Sequence, residues 1–196
     1  LYDTSLVWIE KINHPVEPKG GTRLSSVYQL QPFELALKDT IRIGIRYSNQ
    51  IKNMKNVSLY YYNQKDGWTF LPSSMHTNRQ VIASTLFSLD AITIMQDIEP
   101  PFIRKVYPEN KGRFHYKDLK TIYVIADDYL SGLNSDEKSM SMKLDDIPVR
   151  YAFQPIKKEL SYYLPTPLEA GEPTMEYKIS DQAGNIISGI STFMVD

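Results

Sequence analysis

Four oxygen-bearing side chains stand at expected strand ends in the C-terminal half of the sequence. Asp127 and Asp128 close the apolar run Ile122-Tyr123-Val124-Ile125-Ala126, and Asp181 and Asn185 bracket the segment Asp181-Gln182-Ala183-Gly184-Asn185. Carboxylate and amide oxygens of this kind suit calcium, which takes about six to eight hard oxygens, backbone carbonyls included. The same residue types also satisfy the backbone of their own turns. We take the turn role first and hold a calcium site at Asp127, Asp128, Asp181 and Asn185 as the alternative.

Other chemistry has less to stand on. His14, His76 and His115 are far apart in sequence and none lies in a ligand motif, so a catalytic zinc site is not expected. The neighbouring acids Asp145-Asp146 and Asp136-Glu137 would point to opposite faces of a strand, which does not make the facing pair of a glycosidase. No Gly-rich phosphate loop, Gly-x-Ser-x-Gly elbow or His-Glu-x-x-His occurs. We therefore expect no enzyme and no cofactor, calcium apart. The tyrosine runs Tyr60-Tyr61-Tyr62 and Tyr162-Tyr163 should each show a ring on an outer strand face. Tyr60, Tyr62 and Tyr163 are thus candidate contacts for a sugar or a protein, and otherwise cover cross-strand neighbours. Asn56-Val57-Ser58 is a formal glycosylation sequon at the start of a strand.

The positions of these residues depend on strands. Hydrophobic residues make up 42 % of the 196, enough for packed cores, with 14 Tyr against 2 Trp. Tyrosine-rich chains punctuated by Gly and Pro favour pleated surfaces. The net charge is −1, with 10 Lys/Arg against 9 Asp/Glu through Glu99 and 12 against 14 beyond it. Neither half has the basic excess that nucleic acid requires, and no basic cluster suits a membrane surface. Without cysteine there are no disulfides, thiolate metal sites or Cys nucleophiles. No apolar run approaches the ~20 residues of a membrane span. The start at Leu1-Tyr2-Asp3 suggests a segment of a longer chain.

Period-two patterning recurs along both halves. Ile41, Ile43, Ile45 and Tyr47 alternate with Arg42, Gly44 and Arg46, and Val57, Leu59 and Tyr61 with Ser58, Tyr60 and Tyr62. Asn63-Gln64-Lys65-Asp66-Gly67 then turns the chain into Trp68-Thr69-Phe70 as a hairpin, and Val81–Ser84 and Leu89–Met95 give further strands. His14 to Thr22 is expected to be a loop. In the second half Met140, Met142 and Leu144 alternate with Ser141 and Lys143, and Asp145-Asp146 leads into an expected strand Val149–Phe153. Leu160, Tyr162, Leu164, then Met175, Tyr177, Ile179, and finally Phe193 and Val195 continue the style. Lys117–Lys120 and Ser135–Ser139 suit single helical turns. Between the halves lies Asp97-Ile98-Glu99-Pro100-Pro101, where two prolines keep the chain extended and out of a ladder. The pattern predicts an all-β chain of two consecutive β-sandwich domains, 1–98 and 99–196.

The second domain resembles the immunoglobulin-like modules of bacterial surface proteins and secreted peptidases. The matching residues are Pro100-Pro101, the loop Asp128-Tyr129-Leu130-Ser131-Gly132, the strand end Leu144-Asp145-Asp146 and the turn Asp181-Gln182-Ala183-Gly184-Asn185. That resemblance implies that the two Asp-rich loops share one pole. The first domain is similar to the ZU5 class, through Val27-Tyr28-Gln29-Leu30-Gln31-Pro32, Leu59-Tyr60-Tyr61-Tyr62 with Trp68, and Thr85-Leu86-Phe87-Ser88. Such tandem pairs flank zinc peptidase domains of the lysostaphin (M23-like) type. The resemblance implies an extracellular, cell-surface or periplasmic bacterial protein and a non-catalytic structural module. Its partners would be neighbouring domains of the parent protein, with a protein or glycan ligand as the alternative, and neither nucleic acid nor membrane insertion.

Relatives of the ZU5 class cut their own backbone at a His-Phe-Ser step, where the serine hydroxyl attacks and the histidine assists proton transfer. Here the tripeptide is Leu86-Phe87-Ser88, and leucine cannot accept a proton. Phe87 is then expected in the core and Ser88 in a turn or strand. Mass spectrometry of the purified chain should give one species at the full-chain mass. A pair of fragments dividing before Ser88 would contradict this.

Overall fold

The structure is a computed structural model that describes residues 6–33, 35–49, 51 and 53–196. Nearly all of its regular structure is β, with short 3₁₀ turns at Thr77–Arg79 and Glu137–Ser139, and the chain divides into two compact units, Leu1–Glu99 and Pro100–Asp196. Among the described residues no helix is long and apolar enough to cross a membrane.

The first unit holds β1 (Trp8–Ile12), β2 (Gly21–Arg23), β3 (Val27–Gln31), β4 (Ile41–Arg46), β5 (Val57–Asn63), β6 (Gly67–Leu71), β7 (Ser74–His76), β8 (Val81–Leu86) and β9 (Ala91–Asp97). One sheet runs β1-β3-β9-β5-β6, with β2 also paired to β9, and a second runs β4-β8-β7. The alternating isoleucines of β4 face a core of Leu30, Ile45, Leu59, Ile82, Leu86, Ile92 and Ile94, while Arg42 and Arg46 are exposed. The β5–β6 hairpin closes at Gly67, whose φ of 76° suits glycine, and Asn63 Oδ1 accepts the Lys65 N–H at 2.8 Å.

β9 is buried on both faces: Ile92 and Ile94 on one side, Thr93 and Met95 on the other, are all 0 % exposed. The second face is covered by the segment that the sequence suggests is a plain loop. Trp68 Nε1 donates to the Val16 carbonyl at 2.8 Å, and the His14 ring lies 4.2 Å from Tyr62 and 4.9 Å from Trp68. Ser25 Oγ meets Thr93 Oγ1 at 3.0 Å and accepts the Ile94 N–H at 2.9 Å. Residues 13–26 thus act as a strap, and Gly21–Arg23 within it becomes a strand.

The second unit holds β10 (Phe102–Tyr107), β11 (Arg113–Phe114), β12 (Thr121–Asp127), β13 (Met140–Leu144), β14 (Ile147–Pro148), β15 (Ala152–Gln154), β16 (Glu159–Tyr163), β17 (Thr174–Ser180), β18 (Ile186–Thr192) and β19 (Met194–Val195). Two four-stranded sheets, β10-β12-β16-β15 and β14-β13-β17-β18, enclose Ile122, Val124, Met140, Met142, Leu160, Met175, Ile179 and Phe193. A short parallel pair, β11 with β19, completes the unit. The expected strand over Val149–Phe153 is broken. Asp145 and Asp146 take φ of 49° and 64°, the two positive values of a tight hairpin turn. The return strand then stops at Pro148, which has no N–H to continue a ladder. The chain crosses to the other sheet, where β15 pairs with β16. On the inner face of β17–β18, the Tyr177 ring occupies the place where a side chain at Gly189 would stand.

The two cores make the same demand on their side chains. Ile94→Ala in the first unit and Leu160→Ala in the second each remove a fully buried side chain, and each should cost about 2–5 kcal/mol. The measurement is urea unfolding, where the midpoint should fall at unchanged slope.

Candidate functional site

Two loops of the second unit form the most highly organised polar site. Asp128 lies just after β12, and its Oδ2 accepts the N–H groups of Leu130 at 2.9 Å and Gly132 at 2.8 Å. Gly132, with φ of 77°, supplies the left-handed residue that lets the loop fold back on this carboxylate. Asp181 follows β17 and is 0 % exposed. Its Oδ1 accepts the Asn185 N–H at 2.8 Å and its Oδ2 the Asn185 Nδ2 amide at 2.8 Å, while the Asp181 N–H donates to the Asn185 carbonyl at 3.1 Å.

The loops are also joined to each other. The Gln182 N–H donates to the Gly132 carbonyl and its Nε2 to the Ser131 carbonyl, both at 2.8 Å, and the Asn134 N–H reaches the Ser180 carbonyl at 2.9 Å. Ser131 Oγ accepts the Ala183 N–H at 3.3 Å, and Leu133 forms an isolated bridge with Asp181. Carboxylate oxygens of Asp128 and Asp181 lie within 4.8 Å of one another. Burial pushes the Asp181 carboxyl above its ordinary value; the Asn185 hydrogen bonds oppose this and the Asp128 charge adds to it.

Of the four oxygen-bearing candidates, Asp128, Asp181 and Asn185 come together and Asp127 does not. Successive residues of a strand point to opposite faces, and the Asp127 carboxylate instead forms ion pairs with Lys158 and Arg104 and accepts the Asp128 N–H at 2.9 Å. Burial opposes its ionisation, but the Lys158 hydrogen bond, the Asp128 N–H and the charges of Lys158 and Arg104 together hold it below the usual carboxylate range. A carboxylate already paired with two cations is a poor calcium ligand. At Asp128 the Oδ2 oxygen, and at Asp181 both oxygens, accept hydrogen bonds from backbone or amide donors of their own loops.

The tyrosine candidates divide. Tyr60 is 0 % exposed and meets Phe70 edge to face at 5.6 Å, so it cannot contact a ligand at the surface. The expectation fails because the face of β5 that would meet solvent lies on the side covered by the strap. Tyr62 is half-buried beneath His14 and beside Trp68, whereas Tyr163 is 68 % exposed. Phe87 also departs from expectation: it is 79 % exposed, because alternation past the buried Leu86 turns it outward, and Leu89 fills the core instead. Ser88 lies in the bend after β8, and its hydroxyl donates to Asp90. Burial lowers the His14 pKa; a backbone hydrogen bond with Val16 and the charge of Glu17 raise it, and Arg23 lowers it further. Among the described residues no histidine joins a cluster of candidate metal ligands.

One feature was not anticipated from the sequence. A cleft of about 600 Å³ in the first unit is lined by His14, Phe33, Tyr61, Tyr62, Ser88 and Asp90, among others. Its walls come from segments separated by many residues, so no local motif marks it. The exposed Phe33 beside Gln31-Pro32 was the available signal.

No protein-family model matches this sequence, and no curated protein matches it either. Among solved structures it is similar to CopC from Methylosinus trichosporium OB3b, at 20 % identity over 49 % of this chain and 93 % of CopC, with a TM-score of 0.40. It is also similar to immunoglobulin domains 1–4 of Sidekick-1, at 11 % identity over 97 % of this chain and 67 % of that one, with a TM-score of 0.33. Similarities this distant carry no functional information.

The Asp127 pairing has a definite pH signature. A carboxylate whose folded-state pKa is lowered contributes stability above its unfolded value, and that contribution is lost as pH falls through the folded one. Lys158→Met should therefore destabilise the chain by about 1 kcal/mol near neutral pH, a small figure because the ammonium is 45 % exposed. The difference from the wild type should close as the pH falls from the ordinary carboxylate value of about 4 through the lower folded-state value of Asp127. Thermal melts of both proteins across that range provide the check, and a difference that persists unchanged in acid would contradict the assignment.

Proposed function

We propose that this chain is a non-catalytic structural module, two consecutive β-sandwich domains that space and present neighbouring domains of a larger extracellular, cell-surface or periplasmic bacterial protein. In this reading residues 1–98 are a ZU5-like domain and 99–196 an immunoglobulin-like one, and the parent is an envelope protein or a secreted peptidase. The reading is supported above all by how the Asp128 and Asp181 carboxylates are used: both accept hydrogen bonds from their own loops, and Gln182 fastens one loop to the other. Hydrogen bonds of this kind brace a loop with the chain's own groups. The proline pair Pro100-Pro101 adds a linker with restricted backbone freedom.

The cleft of the first unit favours a second reading, a sugar- or protein-binding adhesion module. Its aromatic rings and its polar groups at Ser88 and Asp90 are the kinds that hold a sugar face and its hydroxyls.

Melting in millimolar calcium and again in chelator separates the structural reading from a calcium-stabilised one. The melting temperature should stay the same within about 1 °C, since only an ion that binds the folded state would raise it. An increase of several degrees in calcium would overturn the structural assignment of these loops. A glycan array should be blank, and a hit that Phe33→Ala abolishes without changing the melt would establish the binding reading instead.

A further inference from the structure

The two four-stranded sheets of the second unit end in four edge strands, and three of these carry features that discourage pairing. β10 has a bulge between Ile103 and Lys105 and carries Arg104 and Lys105. β14 is two residues long and contains Pro148, and β15 has three residues. Short edges, bulges, prolines and charges are how proteins prevent one sheet from adding to another. β18 has none of these features. It is seven residues long, Ile186-Ile187-Ser188-Gly189-Ile190-Ser191-Thr192, with no charge, proline or register break.

Its hydrogen-bonding register shows which backbone groups are available. The Asp181 N–H bonds to the Asn185 carbonyl, so in the alternating antiparallel ladder Ile187, Gly189 and Ser191 face β17 while Ile186, Ser188, Ile190 and Thr192 direct their N–H and C=O outward. Thr192 confirms the phase. Its N–H donates to Asn110 Oδ1 at 3.0 Å and its carbonyl accepts the Lys111 N–H at 2.7 Å. That loop caps one end of the edge and the Asp181–Asn185 turn closes the other. Ile186, Ser188 and Ile190 remain between them, with Ile186 50 % and Ile190 64 % exposed and Ser188 exposed as well.

We propose that this edge pairs with the same edge of a second copy of the chain, antiparallel about a two-fold axis at Ser188. In that register Ile186 stands opposite the second copy's Ile190, Ser188 opposite Ser188, and Ile190 opposite Ile186. Each of these pairs exchanges both N–H···O bonds, which satisfies every outward backbone group between the two caps. A shift by two residues in either direction leaves one outward residue of each copy unpaired, so the capped ends select this register. The isoleucine pairs cover one another on the same sheet face, and the uncharged strand brings no like charges together. The outward residues read Ile-Ser-Ile in either direction about Ser188, the self-match that a two-fold contact requires. A contact of one strand per copy is small, so the dimer should be weak and its population should rise with concentration.

The test uses the full chain. Sedimentation over a concentration series should show the average mass rising from monomer toward dimer. Ile190→Lys should hold it at monomer without lowering the melting temperature, since position 190 is exposed and lies directly opposite Glu176 on β17. The chain has no cysteine, so Ser188→Cys introduces a single thiol at the two-fold axis. It should oxidise to a covalent dimer at least tenfold faster than Ser135→Cys, a control on an exposed loop. A monomer at all concentrations would overturn the proposal and leave the edge to a strand from another protein. Equal oxidation rates for the two cysteine variants, or a dimer that survives Ile190→Lys, would overturn it too.

Discussion

A buried peptide N–H or C=O without a partner costs about 1–3 kcal/mol, and an all-β chain risks that cost wherever a strand stops. In the second unit three such places have identifiable solutions. At the end of β12, Asp128 accepts the loop N–H groups of Leu130 and Gly132. At the β17–β18 turn Asp181 does the same for Asn185, and Gln182 and Ser131 tie the two loops together. Pro148 ends one ladder where the chain must cross to the other sheet. The aspartates Asp128 and Asp181 are thus parts of this hydrogen-bonding scheme, and β18 is the strand it leaves open.

Charge is handled in the same local way. Asp127 and Asp128 are adjacent, yet they have opposite electrostatic surroundings. Asp127 faces Lys158 and Arg104 and is held ionised, whereas Asp128 points toward a second buried acid, Asp181, whose carboxyl is raised by burial. The first pairing adds stability at neutral pH. The second arrangement works against it, and the hydrogen bonds from Asn185 offset part of that penalty. Strain of this sort is tolerated because the loop geometry that it maintains closes the end of the sheet.

Much of the fold was legible in the sequence, for reasons that are local. The isoleucine alternation of β4, the Asn63–Gly67 turn and the Asp181–Asn185 turn each depend on residues within a few positions of one another. What was not legible depends on distant segments. Tyr60 reads as outward-facing until residues 13–26 are known to strap that side of the sheet, and Phe87 reads as core until Leu89 is found to fill the space. The direction of Asp127 is set by Arg104 and Lys158, which lie on other strands or turns. The cleft holding His14, Phe33 and Asp90 is likewise assembled from separate parts of the chain.

The carboxylates of Asp128 and Asp181 hold the backbone of their own loops. Amide hydrogen exchange in calcium-free buffer measures this directly, because the N–H groups of Leu130, Gly132 and Asn185 are the donors concerned. All three should exchange slowly, at rates that calcium does not alter. Rapid exchange at these amides that slows when calcium is added would contradict it, since the loops would then take their shape from the ion.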